Sequence, residues 1–207
     1  MAYTIEHYPT RLIDVWTLAD GRRVTVRPVL PQDAALEQAL VRALSPAARC
    51  QRFFAPIREL PEGWLRALTQ IDYRRHQALI AECFDGDEAL PVAEARYIVD
   101  ADGDEAEFAV VVVDDWQRLG LARRLLGSLI AQAARSGLKR LRGDVLATNR
   151  AMLDLAQSLG FRARRHPDGG AQVLRIVLDL PSRVPMGLGR DAAVSPAAAA
   201  PASAVRH

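Results

Sequence analysis

The sequence predicts a mixed α+β domain, in which a twisted, mostly antiparallel sheet carries helices on both faces. Hydrophobic residues make up 50% and charged residues 25% of the 207 residues, which is enough apolar material for a sizeable core. Short β-type segments bounded by turn residues alternate with segments of helical period. In the centre of the chain a strand, a helix and another strand form a crossover, so one pair of strands should be parallel.

The first third of the chain predicts a hairpin followed by three helices. The turn residues Asp20 and Gly21 separate two β-type segments. Ser45 followed by Pro46 is typical of a helix start, because serine caps and proline fits the first helical position. The predicted strands are 13–18 and 23–29, and the predicted helices are 31–44, 46–53 and 61–71.

The rest of the chain predicts three antiparallel strands, the crossover and a final pair of strands. Gly137 should end the long central helix, since glycine is favoured just beyond a helix C-terminus. The predicted strands are 77–84, 91–99, 105–113, 141–146, 161–165 and 173–178, and the helices are 121–134 and 149–159. We expect an N-terminal segment and hairpin strand in 1–21, a domain in 22–180, and a disordered tail rich in Ala and Pro in 181–207.

Charge and cysteine content exclude several classes. The formal net charge is +2, so no overall field attracts nucleic acid or an anionic membrane, and neither is an expected partner. Two cysteines are too few for a disulfide framework, and the histidines have no metal-binding spacing, so no metal is expected. The N-terminus lacks a signal-peptide pattern, and the longest strongly apolar run, 108–113, cannot span a bilayer, which predicts a cytoplasmic protein.

The most informative segment is 110–126, where an apolar strand leads through a short polar turn into a long helix. The first turn of a helix presents unpaired N–H groups and the positive end of the helix dipole. Gly120 and Ala122 would leave that backbone uncovered, and Arg118, Arg123 and Arg124 add positive charge. This pattern favours binding of a pyrophosphate, although similar turns occur in α/β proteins that bind nothing there. It matches neither a P-loop nor a dinucleotide fingerprint.

These residues resemble the GNAT superfamily of acyl-CoA-dependent N-acyltransferases. Gln117, Gly120 and Ala122 are similar to its Q/R-x-x-G-x-G/A motif, and the segment from Asn149 to Phe161 resembles its asparagine helix ending in Gly-Phe. Further segments are similar to the branch of bacterial protein lysine acetyltransferases that act on acyl-CoA synthetases. They are Ser45-Pro46, Arg52-Phe53-Phe54, Leu68–Tyr73, Ala106–Ala109 and Trp116-Gln117.

The resemblance implies acetyl-CoA as the cosubstrate, lying where the two parallel strands separate. The implied cofactor-binding residues are Val111, Val112 and Val113 on the strand, Gln117, Arg118, Leu119, Gly120, Leu121, Ala122 and Arg123 in the turn, and Asn149 and Met152 on the next helix. Many superfamily members carry a tyrosine acid seven residues after the asparagine. Here that position is Ala156, so water would protonate the thiolate or the thiolate would leave unprotonated.

Glu107 is the implied catalytic base. A lysine amine has a reference pKa of about 10.4 and must lose a proton before it attacks. Apolar neighbours on the strand would make the Glu107 carboxylate a stronger base. Glu105, water, or a merely solvated Glu107 are the alternatives.

The sequence therefore predicts an acetyl-CoA-dependent N-acetyltransferase whose acceptor is a protein lysine. The helices over 31–71 supply few acidic groups beyond Asp33, Glu37, Glu59 and Glu62, which favours a protein over a small cation. A small-amine acetyltransferase and a non-catalytic acyl-CoA sensor are the alternatives. A sensor would need the phosphate-binding turn but no base.

Overall fold

A computed structural model describes residues 7–168 and 170–181, and it confirms the predicted mixed fold. Within these residues eight strands form one sheet in the order β1-β2-β3-β4-β5-β6-β8-β7. They are β1 (Asp14–Thr17), β2 (Arg23–Pro28), β3 (His76–Asp85), β4 (Glu88–Val99), β5 (Glu105–Val112), β6 (Arg140–Leu146), β7 (Arg162–Arg165) and β8 (Val173–Asp179). The β5–β6 pair is parallel, as the crossover predicts, and the other neighbouring pairs are antiparallel.

The helices divide between the two faces of the sheet. They are α1 (Ala34–Ala43), α2 (Pro46–Phe53), α3 (Glu62–Thr69), α4 (Leu121–Arg135) and α5 (Arg150–Ser158), with short 3-10 turns at Thr10–Leu12, Pro31–Asp33, Asp114–Trp116 and Gly170–Gln172. Side chains alternate along β5: Ala106 and Phe108 belong to the main core with α4, whereas Val111 packs with Leu40 of α1. Leu125 of α4 is among the fully buried residues of that core.

Strand β4 differs most from its predicted bounds. It begins at Glu88 rather than Pro91, because the β3–β4 hairpin closes up to the pair Asp85–Glu88 around Gly86. A register shift at Ala81 and Glu82 lies opposite Pro91, and such an irregularity accommodates a residue that cannot donate a ladder hydrogen bond. The third helix is also shorter than predicted and ends at Thr69.

Strand β1 joins the sheet through β2, and Trp16 of β1 is buried in the main core. The tail predicted from residue 181 onward lies outside the described residues, apart from Pro181 itself. No helix in the ranges 7–168 and 170–181 is long and apolar enough to cross a membrane.

Candidate functional site

A cleft of about 700 Å³ opens where β5 and β6 separate. The two strands pair only from Glu105–Arg140 to Glu107–Arg142. One residue further on, the Phe108 ring lies against Gly143, where an added Cβ would come within 2.9 Å of Phe108 Cε1. The ring also contacts Phe161 of the loop before β7, at 4.9 Å between centroids. Gly143 therefore allows the two strands to stay close at the point from which they diverge.

The main chain of β5 presents hydrogen-bonding groups to this cleft. The Val113 N–H donates to Val92 O across the β4 side, at 2.9 Å. Because neighbouring residues of a strand alternate between its two edges, Val110 and Val112 direct their main-chain groups toward β6 and the cleft. The Val112 carbonyl accepts from Gln117 Nε2 at 3.1 Å. Of the predicted triplet, Val112 thus faces the cleft with its backbone, Val111 lines it with its side chain, and Val113 packs toward α1 instead.

The turn before α4 forms a concave group of backbone donors. Gly120 is the N-cap of α4 and has φ 83°, and Arg118 has φ 62°. Left-handed residues in a short turn curl the chain, so that successive N–H groups converge as in anion-binding nests. Gly120 offers no side-chain cap to the first turn of α4. The cleft is lined here by Gln117, Arg118, Gly120, Leu121, Ala122 and Arg123, whereas Leu119 packs against the core.

At the α5 end of the cleft, as at the α4 end, the N-terminus of a helix lies beside the cavity. Asn149 is the N-cap of α5, and its Oδ1 atom accepts from the Met152 N–H at 3.1 Å. The cap uses only the carbonyl oxygen, so the Asn149 amide NH₂ can donate to a ligand. Asn149 and Met152 both line the cleft. Ala156 is 1% exposed in the core and contributes no hydroxyl group.

Helix α2 forms the opposite wall. Asp114, in the turn after β5, accepts from the Ser45 N–H at 3.0 Å and from the Ser45 hydroxyl at 2.8 Å. These bonds fix the start of α2 beside the turn that leads into α4. Gln51, Arg52 and Phe53 of α2 line this wall, together with Phe54 at the end of α2 and Trp64 of α3.

Glu107 lines the cleft, but its surroundings differ from the expectation. Its side chain is 53% exposed, and its Oε2 atom lies 2.7 Å from Arg142 Nη1. The setting is therefore solvated and ion-paired rather than apolar, because odd-numbered residues of β5 leave the main core. Glu105 is paired with Arg140 and is not among the residues that line the cleft.

Asp144 of β6 is a second acid in the cleft that sequence reasoning missed. It accepts from Arg175 Nε at 2.9 Å and lies 3.0 Å from His166 Nε2. Burial alone would raise the pKa of Asp144, but the hydrogen bond and charge of Arg175, with His166, lower it. Gly143 before it was the available signal, since glycine inside a strand marks a close approach of backbone or ligand.

The four acidic residues named in the helical region 31–71 do not line the cleft. Asp33 is buried and accepts two bonds from Arg27, at 2.6 and 3.0 Å. Glu37 is buried against Arg96 at 2.8 Å. Glu59 and Glu62 are exposed and do not line the cleft. Within the described ranges, no group of three His, Cys, Asp or Glu residues is arranged to hold a metal ion.

Comparison with known proteins gives a consistent result. The model of the acetyltransferase (GNAT) family matches residues 40–161. A Pseudomonas aeruginosa protein named as an acetyltransferase is 37% identical over 163 residues, which are 78% of this chain and 88% of that protein. Acetyltransferase Pat of Mycolicibacterium smegmatis is 31% identical over 142 residues. That match spans 68% of this chain but only 41% of Pat.

Solved structures agree in fold. The GNAT domain of Streptomyces lividans PAT matches with a TM-score of 0.75 and 28% identity, over 84% of this chain and 100% of that domain. A Salmonella typhimurium protein described as an acetyltransferase, solved with its cofactor acetyl-CoA, has a TM-score of 0.60 at 18% identity, covering 78% and 96% of the two chains. The likeness to the bacterial protein lysine acetyltransferase branch is thereby confirmed.

Proposed function

Since this chain belongs to the GNAT acetyltransferase family, we propose that it transfers the acetyl group of acetyl-CoA to a lysine side chain of a protein, such as an acyl-CoA synthetase. The observation that carries this proposal is the cleft between β5 and β6. It joins the turn at the N-terminus of α4, the edge of β5 beyond its last pair with β6 and the carboxylate of Glu107.

The cosubstrate would be held by groups already in place. The N–H groups from Arg118 to Arg123 would bind the pyrophosphate, because they meet the positive end of the α4 dipole. Val110 and Val112 would pair with the amide groups of the pantetheine arm as an added strand. The Asn149 amide would donate near the thioester.

The chemistry would be direct. The neutral amine attacks the thioester carbonyl carbon, a C–N bond forms, the C–S bond breaks, CoA leaves as a thiolate, and the extra proton on the new amide nitrogen passes to solvent. Glu107, directly or through water, accepts the proton that the ammonium group must lose. Among the residues that line the cleft there is no tyrosine, cysteine or histidine, so solvent would protonate the thiolate.

The acceptor wall favours a protein substrate. Phe54 and Trp64 are 46% and 48% exposed at the rim of the cleft. A second groove of about 290 Å³ between α2 and α3 continues from it and shares Arg52, Phe53 and Trp64. An open rim with exposed aromatic side chains suits a chain segment that carries a lysine.

One observation favours the alternative, a small amine. Asp144 and Glu107 provide two carboxylates at the same cleft, which a free cation could meet. Arg175 already neutralises Asp144, however, so we rank this second.

The test is an acetyl-transfer assay with acetyl-CoA against a purified acyl-CoA synthetase and a panel of small amines. We expect release of free CoA together with acetylation of a synthetase lysine, located by mass spectrometry. Turnover with amines alone would establish the alternative acceptor class, and no turnover with any acceptor would refute the enzymatic proposal.

Cofactor binding can be tested separately with two matched glycines. Gly120 and Gly137 lie at opposite ends of α4, have φ 83° and 82°, and each has open space around an added Cβ. Replacement by leucine therefore costs similar backbone strain at both positions. We expect Gly120→Leu to abolish CoA binding in calorimetry while Gly137→Leu retains it. Equal affinities would remove the phosphate-binding turn from the proposal.

A further inference from the structure

Two similar ion pairs connect β5 to β6 below the cleft. Glu105 pairs with Arg140, and Glu107 pairs with Arg142, at successive positions of the same register. Arg140 also contacts Asp179 at 3.0 Å and is largely exposed. Arg142 is less exposed and lies at the last paired position, where the cleft begins.

The carboxylate of Asp100 holds the Arg142 guanidinium group in place. Its Nη2 atom lies 2.9 and 3.2 Å from the two carboxylate oxygens of Asp100, and its Nε atom lies 3.3 Å from the same group. Asp100 belongs to the β4–β5 connection, next to the strand that carries Glu107. This double contact fixes the guanidinium plane, so that Nη1 is directed at Glu107 Oε2. Within the described residues, Glu107 Oε1 has no hydrogen-bond donor.

We propose that Arg142 is a positioning residue that fixes the Glu107 carboxylate and leaves its second oxygen free for the acceptor amine. The inference rests on the proposed function, because it assigns Arg142 to the base of that reaction. The fork geometry matters because one guanidinium bridges two carboxylates, Asp100 and Glu107. Without it, these two carboxylates would lose the cation that they share.

Two further cations interact with Glu107 over longer distances, Arg52 from α2 and Arg175 from β8. Asp144 of β6 is the other carboxylate that lines the cleft. The residue opposite on β4 is Ile98, which carries no charge. Arg52 is itself paired with Glu94 and Arg175 with Asp144. Of these cations, Arg142 makes the direct bond to Glu107.

The test compares Arg142→Gln with the matched control Arg140→Gln in acetyl transfer across pH 5–9. For Arg142→Gln we expect kcat to fall roughly 10-fold through misplacement of the base. KM for acetyl-CoA and the whole Arg140→Gln profile should match the wild type.

Two more variants separate charge from position. Arg142→Lys keeps the cation but cannot bridge both carboxylates, so kcat should stay low although the charge is restored. Asp100→Asn releases the guanidinium without removing it, so kcat should also fall while KM for acetyl-CoA stays at the wild-type value. This variant also serves if Arg142→Gln does not fold.

The outcomes distinguish the two claims. If the wild type is active and Arg142→Gln is indistinguishable from Arg140→Gln in kcat and in pH profile, the role of Arg142 is overturned. The proposed function then still stands. An inactive wild type overturns the proposed function and this inference together.

Discussion

One face of the sheet carries two sets of arginine–glutamate pairs in opposite surroundings. Over β4, helix α1 covers Arg96, which lies between Glu37 and Glu94, all 3% exposed or less. Between β5 and β6 the pairs of Arg140 and Arg142 are more exposed, with Glu105 and Glu107 33% and 53% exposed. Arginine–glutamate pairs thus occur in both regions, and the two regions differ in how deeply the pairs are buried.

The buried pairs are held by contacts within the fold. Arg96 donates to Glu37, Glu94 and the Leu68 carbonyl, and His76 Nε2 lies 3.1 Å away. Burial, together with the charge of Glu94, raises the pKa of Glu37 against the opposing effect of Arg96. Charges in such a place must be paired, because an unpaired one would retain its whole desolvation cost.

The exposed set can respond to a ligand because little stability depends on it. Exposed ion pairs contribute about 0–1 kcal/mol, so Glu107 can change partner or protonation state without loss of the fold. Arg52 connects the two sets. Its Nη2 atom lies 3.7 Å from buried Glu94, while the residue lines the cleft.

The largest effect should come from removing the exposed carboxylate at the cleft. Glu107→Gln preserves size but removes the base, so kcat should fall roughly 10²–10⁴-fold, with CoA affinity unchanged. The matched control is Glu105→Gln, two residues along the same strand and also paired with an arginine. Steady-state kinetics and calorimetry measure both variants, and a residual rate within about threefold of wild type for Glu107→Gln would exclude it as the base.

On the buried side the large effect should be on stability. Arg96→Met leaves Glu37 and Glu94 without their shared cation, and breaking a buried pair in this way costs about 3–5 kcal/mol. Arg142→Met should cost about 1 kcal/mol or less. Urea unfolding of the two variants measures the difference, and equal losses would show that burial does not distinguish the two regions.

The buried cluster also predicts a pH dependence. Burial, with the charge of Arg96, lowers the pKa of His76 from 6.5 to about 4. Between these two pKa values the unfolded chain binds a proton that the folded protein does not. The contribution of neutral His76 to the free energy of unfolding is therefore lost as pH falls from about 6.5 to 4. It amounts to at most about 3 kcal/mol.

The variant His76→Gln tests this contribution to stability, because glutamine keeps an acceptor for Arg96 but does not titrate. Glu37 contributes with the opposite sign, since its raised pKa makes the folded protein bind protons more strongly. The comparison is therefore the difference between wild-type and variant unfolding free energies at each pH. That difference should change steadily from pH 7 to pH 4, and a flat difference would contradict the assignment.

The sequence predicted the elements and the conformation of the turn before α4 well because both depend on local rules. Helical period, the Ser45 cap and the position of Gly120 act within a few residues, and the structure agrees with them. The surroundings of Glu107 could not be predicted, because Arg142 is 35 residues away and approaches only through strand pairing. The cofactor and catalytic roles of these residues remain predictions.

The smallest effect should come from the outer exposed pair, Arg140 with Glu105. A double-mutant cycle with Arg140→Gln and Glu105→Gln should give a coupling energy of about 0.2–1 kcal/mol in urea unfolding at low salt. The coupling should shrink in about 1 M salt, where the Debye length is only ~3 Å. Acetyl transfer should stay within about twofold of wild type in all three variants, because neither residue lines the cleft. A coupling above about 2 kcal/mol that resists salt would mean that this face is shielded from solvent as strongly as the cluster around Arg96, and burial would no longer explain the contrast between the two regions.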